Sequence, residues 1–167
     1  MGRTTDLRRE IKRQFFPAMT AKGFSVDLRD APFFVGFRRM TPEVIHVCDI
    51  QWEKYGRPRF VINFGKCGPA GVVCHGKPVR PEDVTASATP LQGRLAPGRH
   101  STVRGWFRQD RPLVESILHR SRLRPPAEVV TTLLALFHEV EDWWKDGSIG
   151  PHVRIIAMSY SRDVAPV

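Results

Sequence analysis

The sequence contains no run of about 18 apolar residues, the length that a helix needs to cross a bilayer, so we expect no membrane-spanning segment. Residues 1–16 are polar where a secretory signal carries an apolar stretch, so we expect no export by that route. Cysteine is scarce: there are three, an odd number that does not suit a framework of disulfides. Together these absences predict a cytoplasmic protein with reduced thiols.

Neither the composition nor the length suggests a disordered or fibrous chain. Of the 167 residues, 41% are hydrophobic and 26% are charged, which is close to the average of globular domains. A chain of this length corresponds to one domain that can bury a substantial core. We therefore predict a single domain over residues 1–160 and a flexible tail at residues 161–167.

Acidic residues are in short supply: 17 Asp and Glu accompany 26 Lys and Arg, which gives a formal net charge of +9. The positive excess lies in residues 1–40 and 76–125, whereas residues 126–167 contain more acids than bases. Because arginine contacts phosphate in a bidentate manner, non-specific nucleic-acid binding is one hypothesis for the function. The candidate residues for that hypothesis are Arg8, Arg9, Arg13, Arg38, Arg39, Arg104 and Arg108.

The clearest local pattern is an amphipathic helix near the N-terminus. A helix over residues 5–22 is predicted by apolar residues that recur every four positions, namely Leu7, Ile11, Phe15 and Met19. From Phe24 onwards the apolar residues alternate with polar ones, as they do in strands. The predicted strands cover residues 24–29, 33–40, 44–54 and 59–66. Short turns connect them, which favours an antiparallel meander.

The second half of the chain is less regular. Residues 66–101 are rich in Gly and Pro and are predicted to form a long loop, followed by a return to the sheet at residues 102–107. Helical periodicity covers residues 111–123 and 127–145, and residues 151–160 fit a final edge strand. The predicted fold class is α+β: an antiparallel meander of four to six strands with the N-terminal and C-terminal helices packed on one face.

The first 65 residues also follow the pattern of a known family. The Gly-Phe pair at residues 23–24 precedes the segment IQWEKYG at residues 50–56 and the segment RFVINFG at residues 59–65. This pattern resembles the bacterial domain-of-unknown-function family 4304; beyond it, only Arg104, Trp106 and the C-terminal helix are similar. The resemblance implies an α+β domain and transfers no activity and no catalytic residue to this chain.

Cysteine and histidine side chains raise the alternative of an enzyme or a metal site. The candidates are His46, Cys48, Cys67, Cys74 and His75, with His100 at the end of the long loop. Zinc prefers thiolate and imidazole ligands, but the sequence has no two cysteines separated by two residues. The alternation over residues 44–52 predicts that Cys48 is a small buried apolar residue. We therefore assign no metal ligand, no catalytic residue and no cofactor.

Two adjacent tryptophans stand near the end of the C-terminal helix. Trp143 and Trp144 are separated by about 100° around the helix axis, so we expect one of them to be partly exposed and available to a partner. Nearby, Glu139, Glu141 and Asp142 predict a solvated face that arginines from elsewhere contact. The favoured function is a non-catalytic module that binds an unknown protein partner or a second copy of itself.

Overall fold

In the computed structural model, the N-terminal helix forms where the four-residue apolar spacing predicts it. The structure describes residues 3–29, 32–98, 105–111 and 123–157. Helix α1 spans Arg3–Ala21, and its apolar stripe is at most 1% exposed. Gly23 follows the helix with a φ of +83°, a left-handed conformation in which the backbone N–H of Phe24 reaches the carbonyl oxygen of Met19 at 3.0 Å.

The strands follow in chain order, and most of them belong to one antiparallel sheet. They are β1 Ser25–Asp27, β2 Phe34–Met40, β3 Ile45–Trp52, β4 Arg59–Cys67, β5 Val72–Cys74, β6 Lys77–Val79, β7 Leu91–Leu95, β8 Phe107–Arg108 and β9 Val153–Ala157. In the described part of the chain the main sheet has seven strands in the order β1-β2-β3-β4-β7-β9, with β8 paired to the start of β4. The predicted α+β class is confirmed.

The C-terminal helical segment is divided into two. Helix α2 spans Pro126–Leu136 and helix α3 spans His138–Asp146, with Phe137 between them. Together with α1 they cover one face of the sheet, where the Phe15 ring meets both Phe37 and Phe137 edge to face at centroid distances of 5.4 Å. No helix among the described residues is both long enough and apolar enough to span a membrane.

On the opposite face of the sheet, here called the second face, the described residues cover one end. The β5–β6 hairpin and two short 3₁₀ helices, Pro81–Asp83 and Ala86–Ala88, pack there. They enclose a smaller core in which Ile45 and Val47 of β3 contact Val84 and Ala86. Away from that end, the second face carries polar side chains, among them Gln51, Asn63 and Arg94, together with the apolar side chains of Phe34 and Val61.

The prediction of a long loop over residues 66–101 is wrong, because this region contains a hairpin and strand β7, which lies between β4 and β9 in the sheet. Strand β7 escapes recognition because Gly93 occupies a position that faces the helices, so the apolar alternation is interrupted. A Cβ atom on Gly93 would lie 2.3 Å from Cζ of Phe64, so only glycine leaves room for that ring.

Two other expectations have mixed outcomes. The final strand is confirmed as β9, which pairs with β7 at the edge of the sheet. Glu139 is 5% exposed, so its placement on a solvated face is wrong: its carboxylate accepts a hydrogen bond of 2.9 Å from the backbone N–H of His152. The predicted helix at residues 111–123, the strand residues 102–104 and the tail lie largely or wholly outside the described residues.

Candidate functional site

Trp52, the last residue of β3, stands where helix α1 meets the end of the sheet. Its ring packs on Phe60 with a centroid distance of 5.3 Å, and the guanidinium carbon of Arg8 lies 4.3 Å from the ring centroid on the α1 side. The indole Nε1–H is buried and has no hydrogen-bond partner in the described part of the chain. Trp52 is therefore held by packing and by a cation–π contact.

Two grooves adjoin at Trp52, and together we call them the tryptophan groove. The larger one has a volume of about 620 Å³ and is lined by Trp52 with Phe33, Phe34, Gln51 and Lys54. The smaller one runs between α1 and the sheet, has a volume of about 80 Å³, and is lined by Trp52 with Arg8, Ile11, Lys12, Phe16, Val35 and Ile50. Phe33 is half exposed, so its ring presents apolar surface in the larger groove.

The tryptophan groove combines apolar side chains with cations. Partial burial lowers the pKa of Arg8, because the charged guanidinium loses hydration there. Within the residues that the structure describes, Arg8, Lys12 and Lys54 have no carboxylate within 4 Å, and no acidic side chain lines either groove. The groove can therefore accept an anionic group beside an apolar one.

The other arginines predicted to bind nucleic acid are paired within the fold. Arg9 contacts Asp6 at 2.7 Å and Arg13 contacts Glu10, both one helical turn apart on α1. The remaining pairs are Arg38 with Asp27 at 3.6 Å, Arg39 with Glu141 at 3.0 Å and Arg108 with Asp110 at 2.8 Å. Arg104 lies outside the described residues. Of the described candidates, Arg8 alone is without a carboxylate partner.

The expectation that one of the adjacent tryptophans is exposed is wrong. Trp143 is 3% exposed and Trp144 is 4% exposed, because α3 lies across the sheet and Phe64 of β4 contacts both rings. The indole N–H of Trp144 donates a hydrogen bond of 2.9 Å to the carbonyl oxygen of Gly65. Neither ring offers a surface to a partner, so these residues belong to the core.

The cysteine and histidine candidates do not converge on one site. Cys48 is fully buried in the core, and burial raises the pKa of its thiol well above the ordinary value. Burial also raises the pKa of Cys67, so both thiols are held in the unreactive protonated form. The described residues contain no group of three or more His, Cys, Asp and Glu side chains arranged to hold a metal ion, and His100 lies outside them.

Sequence reasoning missed Trp52, Lys12 and Lys54 as site residues. The Phe33-Phe34 pair could have indicated an apolar surface at this end of the sheet. Neighbouring strand residues point to opposite faces, so one face of the sheet alone cannot bury both rings. Nothing in the sequence indicates that α1 brings Arg8 onto Trp52, because the two residues are far apart along the chain.

Comparison of the chain with protein-family models, curated proteins and solved structures found no match. The class of protein is therefore described from the fold and the groove alone. It is an α+β domain with helices on one face of an antiparallel sheet and an aromatic, cationic groove at the end of the sheet. The resemblance to domain family 4304 stays a prediction.

Proposed function

We propose that the protein is a non-catalytic binding module that takes an acidic segment of a partner protein in the tryptophan groove. The observation that carries this proposal is the Arg8 guanidinium, which lies on the Trp52 ring without a carboxylate partner among the described residues. A half-buried cation of this kind is strongly stabilised when a ligand brings an anion to it, because little water competes for the cation there.

The mixture of side chains favours a peptide over a nucleic acid. A nucleic-acid surface relies on many cations that are free to neutralise phosphates. Here five of the six described arginine candidates are paired with carboxylates of the same chain. An acidic peptide needs only one or two such cations, beside apolar surface for an aliphatic or aromatic side chain, and Phe33 and Phe34 supply that surface.

A selection from a random peptide display library tests the proposal. We expect the selected peptides to carry Asp or Glu close to an apolar residue, and to bind with an affinity that fluorescence polarisation can measure. Arg8→Ala is expected to weaken this binding by about tenfold or more, since central arginines contribute more than about 1 kcal/mol to such interfaces. In nuclear magnetic resonance spectra, the Trp52 indole N–H signal should shift on binding.

Arg9→Ala is the matched control, because Arg9 is the neighbouring arginine on α1, its side chain is 66% exposed, and its partner is Asp6. This variant should bind the selected peptides as the wild type does. Equal losses in both variants, or selected peptides without acidic enrichment, would refute the proposal. Binding of single-stranded DNA with a steep salt dependence, together with no peptide binding, would establish the nucleic-acid hypothesis instead.

A further inference from the structure

A line of polar residues crosses the second face of the sheet at one register position. Adjacent strands pair residue by residue along this line, which runs through Asp27, Gly36, Asp49, Asn63, Arg94 and Arg154. The acids stand at the β1 side, the amide stands in the middle, and the two cations stand at the β9 edge. The line therefore ends in adjacent positive charges.

Arg94 of β7 is held in a defined orientation by two side-chain amides, those of Asn63 and Gln51. Its Nε–H donates to Oδ1 of Asn63 at 2.9 Å, and its Nη2 lies 3.4 Å from Oε1 of Gln51. Asn63 is 4% exposed and is itself fixed by a hydrogen bond of 2.9 Å from its Nδ2 to Oε1 of Gln51. One edge of the guanidinium is thus occupied, while Nη1 donates to no acceptor among the described residues.

Arg154 of β9 is the direct cross-strand neighbour of Arg94, and its side chain is exposed. Like charges placed opposite each other on a sheet are unfavourable. Burial, and then the charge of Arg154, lower the pKa of Arg94. In the described part of the chain neither guanidinium lies within 4 Å of a carboxylate, so no negative charge there offsets their repulsion.

We propose that Arg94 and Arg154 form a binding site for the oxyanion of a small molecule, a phosphate or a carboxylate group. Two arginines at directly paired positions on one face of the sheet can present several N–H donors to one anion, and arginine is suited to such bidentate contacts. Asn63 and Gln51 position Arg94 before the ligand arrives, which reduces the entropy lost on binding. This site is distinct from the Arg8 side of the tryptophan groove and takes a different ligand; Gln51 lies between the two.

Titration calorimetry with inorganic phosphate tests this site, with the ionic strength kept constant by sodium chloride. A parallel titration with acetate distinguishes a phosphate ligand from a carboxylate ligand. We expect saturable binding of at least one of the two anions, and a loss of about tenfold or more in affinity in Arg154→Gln. Because Arg154 is exposed, this variant should fold as the wild type does.

Arg13→Gln is the matched control, since it removes the same charge from an exposed arginine on α1. It should leave anion binding unchanged. Absence of saturable binding of both anions, or equal losses in Arg13→Gln and Arg154→Gln, would overturn the proposal. Peptide binding through Arg8 should be unaffected by Arg154→Gln, so a failure of this site is distinguishable from a failure of the proposed function.

A charge reversal gives a second readout that does not depend on the choice of ligand. Arg154→Glu places a carboxylate opposite Arg94 and replaces repulsion by attraction. We expect a higher melting temperature and no anion binding in this variant. A melting temperature that is unchanged or lower would contradict the argument from unrelieved positive charge.

Discussion

Protonation of His46 should destabilise the protein as the pH falls. The imidazole lies on β3 under helix α3, where it stacks on Trp144 with a centroid distance of 5.0 Å and an interplanar angle of 24°. Its Nδ1 accepts a hydrogen bond of 3.3 Å from Nε of Arg39, which requires the neutral ring. Burial, and then the positive charge of Arg39, lower the pKa of His46 to about 4; Lys66 adds to this effect and Glu141 opposes it.

The sign of the effect follows from proton binding in the two states. In the unfolded chain the imidazole takes up a proton near its ordinary pKa of about 6.5, whereas in the folded protein it does so near 4. Between these values the unfolded state binds more protons, so the stability that His46 contributes is complete above about pH 6.5 and is lost as the pH falls towards 4. The full shift corresponds to about 3 kcal/mol, and partial exposure of the ring reduces the expected loss to about 1–2 kcal/mol.

Urea unfolding from about pH 7 down to about pH 4 measures this loss. The perturbation is His46→Phe, which keeps an aromatic ring against Trp144 and cannot be protonated. The free energy of unfolding of the wild type should fall by about 1–2 kcal/mol more than that of the variant over this range. His138→Gln removes an exposed histidine and should show the wild-type pH dependence. Parallel curves for the wild type and His46→Phe would refute the reasoning.

Two further substitutions examine the packing. Gly93→Ala should lower the free energy of unfolding by about 1–3 kcal/mol, because its Cβ meets the Phe64 ring; Gly68→Ala, where a Cβ meets nothing within 4 Å, should change it little. Glu139→Ala leaves the partly buried backbone N–H of His152, just before β9, without its acceptor and should cost about 1–3 kcal/mol in urea unfolding, with faster amide exchange in β9. Asp142→Ala, an exposed acid on the same helix, should leave both measurements unchanged.

Local sequence patterns were sufficient to predict the helices and strands whose buried positions recur regularly. Helix α1 and strands β2 to β4 were predicted because each presents regularly spaced apolar residues to the core. Strand β7 was missed because Gly93 replaces an apolar residue at its central helix-facing position. The exposure of Trp143 and Trp144 was predicted wrongly. The sequence gives the angle between the two side chains around the helix, but it does not show that Phe64 contacts both rings.

The charged residues show the same difference between what the sequence determines and what the fold determines. The sequence establishes the excess of +9, its concentration in two segments, and the acidic C-terminal region. Only the folded chain decides which cations meet which acids: Arg39 reaches Glu141 across more than a hundred residues, while Arg8 lies on Trp52 with no carboxylate of the described residues within 4 Å. The physical reason is that apolar periodicity depends on neighbours along the chain, whereas the pairing and burial of a charge depend on strands and helices that come together only when the sheet is complete.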